Sequence, residues 1–462
     1  MEPPLSFNPA ALQALMTREF VLGIGTAAYQ IEGAALADGR TDSVWDTFCR
    51  RPGTIADRSS GDVACDHYYR WADDVALLVE LGVDVYRFSI SWSRVIPDDS
   101  GVVNEKGMTF YRQLAEELRR HGIRPMVTLH HWDLPQYLED KGGWRDRMTA
   151  YRFAEFAKAV AIGLGANVDF YTTINEPWCI AYLGHRSGIH APGLRDNSAA
   201  IAATHHLLLA HGLAMQALRD HAPHADLGIV LNGGPTYPVS DSKSDVKAAE
   251  LFESEQIHRF AGPILSGEYP REFVPLVAGH VKQGDLETIA EPSDYLGWNY
   301  YTRSLVKHGE DGFPEFLAGS EFPTTDMGWE IYPEGLREVC SILQREYDLP
   351  PLYISENGAA FRDKRVGDTV HDPERVEYIQ RHLQVIAEMI ESGIDVRGYI
   401  CWTLLDNFEW NEGYSKRFGL VHMDFDTQDR TMKDSGKAYA ELNAARSTLK
   451  AGGGEKRINV AP

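Results

Sequence analysis

The chain has 462 residues, of which 44% are hydrophobic and 24% are charged, and its formal net charge is −22. This composition is typical of a globular protein with a large buried core and excludes a disordered chain. The negative charge would repel nucleic acid and anionic membranes and disfavours a strongly anionic ligand, so a neutral small molecule is the expected partner.

The cysteines and the amino terminus bear on the cellular compartment. Five cysteines lie far apart without a C-x-x-C pair, at Cys49, Cys65, Cys179, Cys340 and Cys401. This spacing indicates neither a disulfide framework nor a zinc site, and favours reduced thiols in the cytoplasm. The amino-terminal segment lacks the basic and apolar stretches of a signal peptide, and no later segment is long and apolar enough to span a membrane.

Eight apolar runs rich in β-branched residues predict strands. In chain order they are FVLGIGT, VYRFSISW, RPMVTLHHW, VDFYTTIN, LGIVLN, YLGWNYYT, PLYISEN and VRGYICWTLL. Between them, apolar residues at spacings of three and four predict amphipathic helices, most clearly from Val376 to Ile390. Similar stripes end at Gly82 and at Gly122, and a further one runs from Leu336 to Leu343.

Hydrophobic strands that alternate with helices predict a parallel sheet, and eight such units favour a single closed (β/α)₈ TIM barrel of the α/β class. An open doubly wound sheet stays possible on this pattern alone. Because no repeat or long linker divides the chain, we expect one catalytic barrel over residues 19–450. Residues 1–18 would form an N-terminal extension, and residues 451–462 a flexible C-terminal tail.

Two acidic motifs, TTINEP and ISENG, place Glu176 and Glu356 at the ends of the predicted fourth and seventh strands. The carboxyl ends of barrel strands meet on one face, so the two glutamates are expected to share a site. Such a pair can cleave a glycosidic bond, one carboxylate acting as acid and base and the other as nucleophile. Arg87 on the second strand could keep the nucleophile ionised or form an ion pair inside the barrel.

These motifs, together with YQIEG, HHWDLP, NYYT and WTLLDNFEWNEGY, resemble glycoside hydrolase family 1, the β-glucosidase family. The resemblance runs from about Phe20 to about Leu449 and implies a (β/α)₈ barrel, a retaining double-displacement mechanism and no cofactor or metal. It implies that Glu176 is the acid/base and Glu356 the nucleophile. Arg87 and Tyr301 would support the nucleophile.

The resemblance also implies a set of sugar-binding side chains. They are Gln30, His131, Trp132, Asn175, Tyr301, Trp402, Glu409 and Trp410, with Asn175 paired to the sugar 2-hydroxyl. Indole rings suit the apolar faces of a pyranose, and polar side chains suit its hydroxyls. The aglycone side is expected at Trp178, Leu183 and Trp329. The ISENG motif carries Ser355 where threonine is common in the family, which keeps a hydroxyl.

The expected function is that of a retaining β-glucosidase acting on small β-glucosides or β-linked oligosaccharides, as in cellulose degradation. Two alternatives stay open. A 6-phospho-β-glycosidase is one, because Ser415 and Lys416 lie near Glu409, although a carboxylate close to the 6-position would repel phosphate. A carbohydrate-binding barrel without catalytic activity is the other. The oligomeric state is not predicted.

Two further patterns point to other chemistry and are set aside. The segment from Gly23 to Ala28 fits a loose dinucleotide-binding fingerprint, but glycines and polar breaks follow it in place of a phosphate-binding helix. His205, His206 and His211 have spacings that could place two imidazoles on one helical face. No acidic or thiol ligand accompanies them there, so packing or capping roles are expected and no metal site.

Overall fold

A closed barrel of eight parallel strands organises the chain, of which the computed structural model describes residues 6–15, 17, 20–309, 314–317 and 322–452. The strands are β1 (Val21–Gly25), β2 (Val85–Ser89), β3 (Arg124–His130), β4 (Phe170–Asn175), β5 (Asp226–Asn232), β6 (Tyr295–Asn299), β7 (Leu352–Asn357) and β8 (Val396–Trp402). Each strand pairs in parallel with the next, and β8 pairs with β1. The predicted (β/α)₈ barrel is therefore confirmed, and the open sheet is excluded.

All eight predicted strands are present, but several predicted runs extend past the observed carboxyl ends. VYRFSISW is a strand only to Ser89, and VRGYICWTLL only to Trp402. At these points the chain leaves the barrel wall, but the residues that follow stay buried. Local hydrophobicity therefore overestimates strand length at the face where the site lies.

The main helices pack outside the barrel. They are α1 (His67–Leu81), α2 (Glu105–Arg120), α3 (Met148–Leu164), α4 (Asn197–His221), α5 (Lys243–Glu253), α6 (Arg259–Ser266), α7 (Glu334–Glu346), α8 (Pro373–Glu391) and α9 (Asp434–Gly452). The four predicted stripes correspond to α1, α2, α7 and α8. Gly82 follows α1 with φ of +65°, a left-handed conformation that glycine adopts without steric cost.

Shorter elements lie mostly in the connections. The short helical segments are Pro9–Leu15, Ala28–Ile31, Ala37–Gly39, Val44–Cys49, Trp92–Val95, Gln136–Glu139, Gly143–Arg145, Gly165–Asn167, Cys179–Arg186, Ser254–His258, Val274–Val277, Asp285–Ile289 and Trp410–Glu412. The short strands are Thr236–Pro238, Ser304–His308, Pro314–Phe316, Arg365–Val366, Thr369–Val370, Val421–Met423 and Arg430–Met432. The glycine-containing segment of the dinucleotide pattern thus forms β1 and only a four-residue helix.

The ends of the described chain pack on the barrel. Phe7, Leu12 and Leu15 belong to the main hydrophobic core, so the predicted N-terminal extension contributes buried side chains. The predicted tail over residues 451–462 begins inside α9, and its residues 453–462 lie outside the described part of the chain.

The histidines of THHLLLAHG are buried in α4, and each has a different partner. His205 contacts Asp285 Oδ2 and the Tyr269 hydroxyl, both at 2.9 Å. His206 Nδ1 donates to a backbone carbonyl at 2.9 Å, and His211 Nδ1 lies 2.8 Å from a threonine hydroxyl. Within the described residues, no group of three or more His, Cys, Asp or Glu side chains is placed to hold a metal ion. None of the described helices combines the length and the hydrophobicity that a bilayer crossing requires.

The inside of the barrel is closed at one end by apolar side chains. The cluster comprises Val21, Val85, Met126, Phe170, Tyr295, Tyr353 and Ile400. Most of these residues lie near the starts of their strands, so they fill the amino-terminal end of the barrel. Functional side chains are thereby confined to the carboxyl ends of the strands.

Candidate active site

A cavity of about 700 Å³ opens at the carboxyl ends of the strands. Its lining includes the terminal residues of β5, β6 and β8, and both predicted glutamates. Glu176 directly follows β4, and Glu356 is the penultimate residue of β7. Folding therefore brings two carboxylates that are far apart in the sequence to one cavity.

Glu356 is held by a cation and a phenol. Arg87 Nη1 donates to Glu356 Oε1 at 2.5 Å, and the Tyr301 hydroxyl donates to Oε2 at 2.8 Å. Arg87 is fully buried, and its Nη2 donates to Asn175 Oδ1 at 2.7 Å. An ionised carboxylate can stay buried here because the guanidinium compensates the lost hydration.

Glu176 has neutral hydrogen-bond partners. Asn299 Nδ2 donates to Glu176 Oε1 at 2.7 Å, and Cys179 Sγ donates to Oε2 at 3.1 Å. Burial, followed by the negative charge of Glu356, raises the pKa of Glu176 from its ordinary 4.5 to about 7. The side chain can therefore exchange a proton near neutral pH. Its backbone φ of +48° is uncommon for a residue other than glycine and is typical of functional sites.

A chain of hydrogen bonds connects the two carboxylates. The Asn299 amide that bonds Glu176 also lies 3.1 Å from Asn175 Oδ1, which accepts from Arg87. Ser355 Oγ in turn donates to Asn299 Oδ1 at 2.8 Å, so the serine hydroxyl of ISENG helps to orient the Asn299 amide. Asn299 was not predicted as a site residue, although it is the first residue of the NYYT motif. Its position at the end of β6, where site residues are expected, could have identified it.

Gln30 and Glu409 form one polar side of the site. Gln30 Nε2 donates to the Phe408 carbonyl at 2.9 Å and to Asn407 Oδ1 at 3.0 Å, and lies 3.5 Å from Glu409 Oε2. Its Oε1 is buried and has no hydrogen-bond partner among the described residues. Burial, followed by the charge of Glu356, raises the pKa of Glu409 to about 8.

Aromatic rings form a second side of the site. His131 stacks on Trp402 and Trp410 with ring centroids 5.7 and 5.8 Å apart, and Trp132 contacts Trp410 at 4.5 Å. Asn175 Nδ2 donates to His131 Nε2 at 3.1 Å, while burial lowers the pKa of His131 well below its usual range. A neutral imidazole and three indoles thus surround a space that suits an uncharged polyol.

The family model for Glycosyl hydrolase family 1 matches residues 12–448. The chain belongs to glycosyl hydrolase family 1. It is thus a glycoside hydrolase, and the family membership predicted from the motifs is confirmed.

Individual family 1 proteins align over nearly the full chain. A β-glucosidase of Agrobacterium sp. (strain ATCC 21400) is 44% identical over 443 residues, covering 94% of this chain and 96% of the relative. A crystal structure of the family 1 β-glucosidase from Exiguobacterium antarcticum B7 gives a TM-score of 0.90 at 41% identity, covering 94% and 99% of the two chains. The structure of the family 1 β-glucosidase from Thermotoga maritima gives a TM-score of 0.89 at 42% identity, covering 93% of this chain and 98% of the other.

The structure gathers all the residues predicted for the site of this family 1 enzyme. Those that line the cavity are His131, Trp132, Glu176, Tyr301, Glu356, Trp402, Glu409 and Trp410, with Trp178, Leu183 and Trp329 on the expected aglycone side. Gln30, Arg87 and Asn175 are fully buried and bond to those side chains.

The outer wall contains residues that the motifs did not identify. Leu305, Phe316 and Leu317 line the cavity close to Trp178, which contacts Phe252, and Phe252 contacts Phe316 with ring centroids 4.6 Å apart. These residues lie in a stretch without a recognisable motif, so only spatial proximity shows their place. Cys179 was also missed as a site residue, although it stands three positions after Glu176.

Proposed function

We propose that this family 1 enzyme is a retaining β-glucosidase that hydrolyses terminal non-reducing β-D-glucosyl residues by double displacement. The observation that carries the proposal is the difference between two carboxylates in one cavity. Glu356 is bonded to the Arg87 cation, which favours an ionised nucleophile. Glu176 has neutral partners and a pKa raised to about 7, which suits an acid that later acts as a base.

In the first step, a Glu356 oxygen attacks the anomeric carbon and forms a glycosyl ester while the bond from that carbon to the aglycone oxygen breaks. Glu176 gives its proton to the departing oxygen, so the aglycone leaves as a neutral alcohol or phenol. Arg87 and Tyr301 hold the Glu356 carboxylate in position through their hydrogen bonds. Asn175, which bonds Arg87, is proposed to pair with the sugar 2-hydroxyl.

In the second step, Glu176 is ionised and takes a proton from water, whose oxygen attacks the anomeric carbon and releases Glu356 as a carboxylate. Ester formation removes the charge of Glu356, which is one of the causes that raise the pKa of Glu176. The pKa of Glu176 therefore falls once the intermediate has formed, and the same side chain can act as a base. Retention of configuration follows from the two displacements.

We assign recognition of the glucosyl hydroxyls to Gln30, His131 and Glu409. His131 and Glu409 line the cavity, and Gln30 lies beside Glu409. Trp132, Trp402 and Trp410 would contact the apolar faces of the ring. Trp178, Leu183 and Trp329 would contact the aglycone, because they line the same cavity. Small β-glucosides and β-linked oligosaccharides are the proposed substrates, and the β-glucosidase names of the relatives support that choice.

We also propose a cytoplasmic role in the breakdown of cellulose-derived oligosaccharides. All five cysteines carry free thiols, a state that reducing compartments maintain. Hydrolysis of cellobiose by the purified enzyme, together with recovery of the protein in the cytoplasmic fraction, is the expected result.

The function is tested with aryl β-glycosides and cellobiose, on the wild type and on the Glu356→Ala and Glu176→Ala variants. We expect the wild type to hydrolyse aryl β-glucoside, Glu356→Ala to be inactive, and proton NMR to show the β-anomer as first product. A 2-deoxy-2-fluoro-β-glucoside with a good leaving group should label Glu356, as read by peptide mass. Inversion, or equal background release from wild type and Glu356→Ala, would refute the proposal.

The phosphorylated substrate of the alternative function finds little support at the site. Lys416 Nζ donates to the Asp326 carbonyl at 2.7 Å and contacts its carboxylate at 3.3 Å, while Glu409 and Glu412 line the cavity. The cation of Lys416 is thus already paired with a carboxylate, and the Glu412 carboxylate would repel a phosphate group at this part of the cavity. We expect kcat/KM for an aryl β-glucoside to exceed that for its 6-phosphate at least a hundredfold; the opposite preference would favour the phosphoglycosidase.

A further inference from the structure

The thiol of Cys179 lies against the carboxylate of Glu176. A tight turn follows β4, in which the Cys179 N–H donates to the Glu176 carbonyl at 2.9 Å. This turn folds the cysteine side chain back over the preceding glutamate, and Sγ reaches Oε2 at 3.1 Å. The contact is thus built by the local backbone, including the positive φ of Glu176.

A second side chain fixes the sulfur. Asn232, the last residue of β5, donates from Nδ2 to Cys179 Sγ at 3.6 Å. When the sulfur accepts this bond, its hydrogen is free to point toward Glu176. Burial, followed by the charge of Glu176, raises the pKa of the thiol well above its usual range, so cysteine acts here as a neutral donor.

The other groups around Glu176 come from several strands and one loop. Asn299 on β6 bonds the opposite carboxylate oxygen, Oε1. The ionisable side chains that interact electrostatically with Glu176 are Arg87, Cys179, Tyr301, Glu356 and Glu409. Among the described residues, Cys179 is the one hydrogen-bond donor to Oε2, so the thiol is the group that stabilises charge on that oxygen through a direct bond.

We propose that Cys179, held by Asn232, is a positioning residue that orients Glu176 and stabilises its ionised form through the bond from Sγ to Oε2. The inference rests on the proposed function, because it assigns a task only if Glu176 is the acid/base. A thiol is a weak donor, so the stabilisation is small and adjustable. It favours the base form needed for the second step and leaves the proton of the first step easy to release.

The test compares kcat/KM against pH for phenyl β-glucoside, whose poor leaving group needs the Glu176 proton. In Cys179→Ala the carboxylate loses a donor, so the basic limb should move upward by about half a pH unit. At pH 8 this would raise kcat/KM roughly two- to threefold relative to wild type, as the protonated fraction grows. Cys179→Ser retains a donor and should keep the limb within about 0.2 unit of wild type.

Matched variants separate positioning from packing. Cys340→Ala makes the same change at a buried cysteine on α7, and its pH profile should coincide with wild type. Asn232→Ala tests the same bond without altering the thiol, and should move the limb in the same direction as Cys179→Ala. If circular dichroism shows that Cys179→Ala does not fold, Asn232→Ala provides the test in its place.

The outcomes also separate this inference from the proposed function. If Glu176→Ala retains wild-type activity on phenyl β-glucoside, the proposed function is wrong. If Glu176→Ala is inactive but Cys179→Ala and Asn232→Ala keep the wild-type limb, only the positioning role is refuted. A shift in Cys179→Ser as large as in Cys179→Ala, or an equal shift in Cys340→Ala, would refute it as well.

Discussion

Replacing Glu176 with glutamine should stabilise the protein at alkaline pH while destroying its activity. The amide keeps the size of the side chain and can still accept hydrogen bonds, but it cannot ionise. In the wild type, the pKa of Glu176 is raised from 4.5 to about 7, so the folded protein holds a proton that the unfolded chain releases. The bound proton contributes to the free energy of unfolding; this contribution is fully present below pH 4.5 and is lost as the pH rises through about 7.

The size of the effect follows from that difference in pKa. At roughly 1.4 kcal/mol per pH unit, the wild type loses about 3 kcal/mol of unfolding free energy between pH 4.5 and pH 8. With an unfolding entropy of roughly 2 cal/mol/K per residue, this corresponds to about 3 °C in Tm for a chain of this length. The Tm of Glu176→Gln minus the Tm of the wild type should therefore be about 3 °C larger at pH 8 than at pH 4.5.

The assay is scanning calorimetry of both proteins at pH 4.5 and pH 8 at constant ionic strength. Glu80→Gln, at an exposed position of α1, controls for the amide substitution itself. In the same samples, activity on phenyl β-glucoside should fall roughly 10²- to 10⁴-fold, the usual contribution of a general acid. An equal difference in Tm at both pH values, or a lower Tm of Glu176→Gln at pH 8, would refute the reasoning.

Four further outcomes are expected. In the wild type, kcat/KM for phenyl β-glucoside should fall about tenfold per pH unit above about pH 7, because the pKa of Glu176 lies there; a constant rate up to pH 9 would contradict this. Asn299→Ala removes a donor to Glu176 and should lower kcat/KM about 10- to 100-fold in steady-state kinetics at pH 6, so near-normal activity would argue against the network. Phe316→Ala shortens the apolar outer wall and should reduce kcat/KM for octyl β-glucoside about fivefold while leaving cellobiose within about twofold; equal losses would show that the wall does not select the aglycone. Incubation with a chelator should leave activity unchanged, and a loss restored by zinc would reveal a metal requirement.

Prediction from the sequence succeeded where the signal is local. The period of apolar residues located the strands and α8, and the acidic motifs placed Glu176 and Glu356 at strand ends. It missed Asn299, because a single asparagine after a strand is compatible with many roles. It missed Phe316 as well, because Leu305, Phe316 and Leu317, which line the cavity, belong to no recognisable motif.

The amino-acid sequence by itself determined the order of strands and helices and the face on which the two glutamates would meet. Both depend on hydrophobic periodicity and on the geometry of parallel barrels. Only the tertiary structure decided the surroundings of each carboxylate. Arg87, 269 positions away in the sequence, donates a hydrogen bond to Glu356. Glu176 accepts hydrogen bonds from Asn299 on β6 and from Cys179 in the turn that follows β4. Their chemical difference depends on burial and on charges contributed by distant strands, and no local pattern contains either.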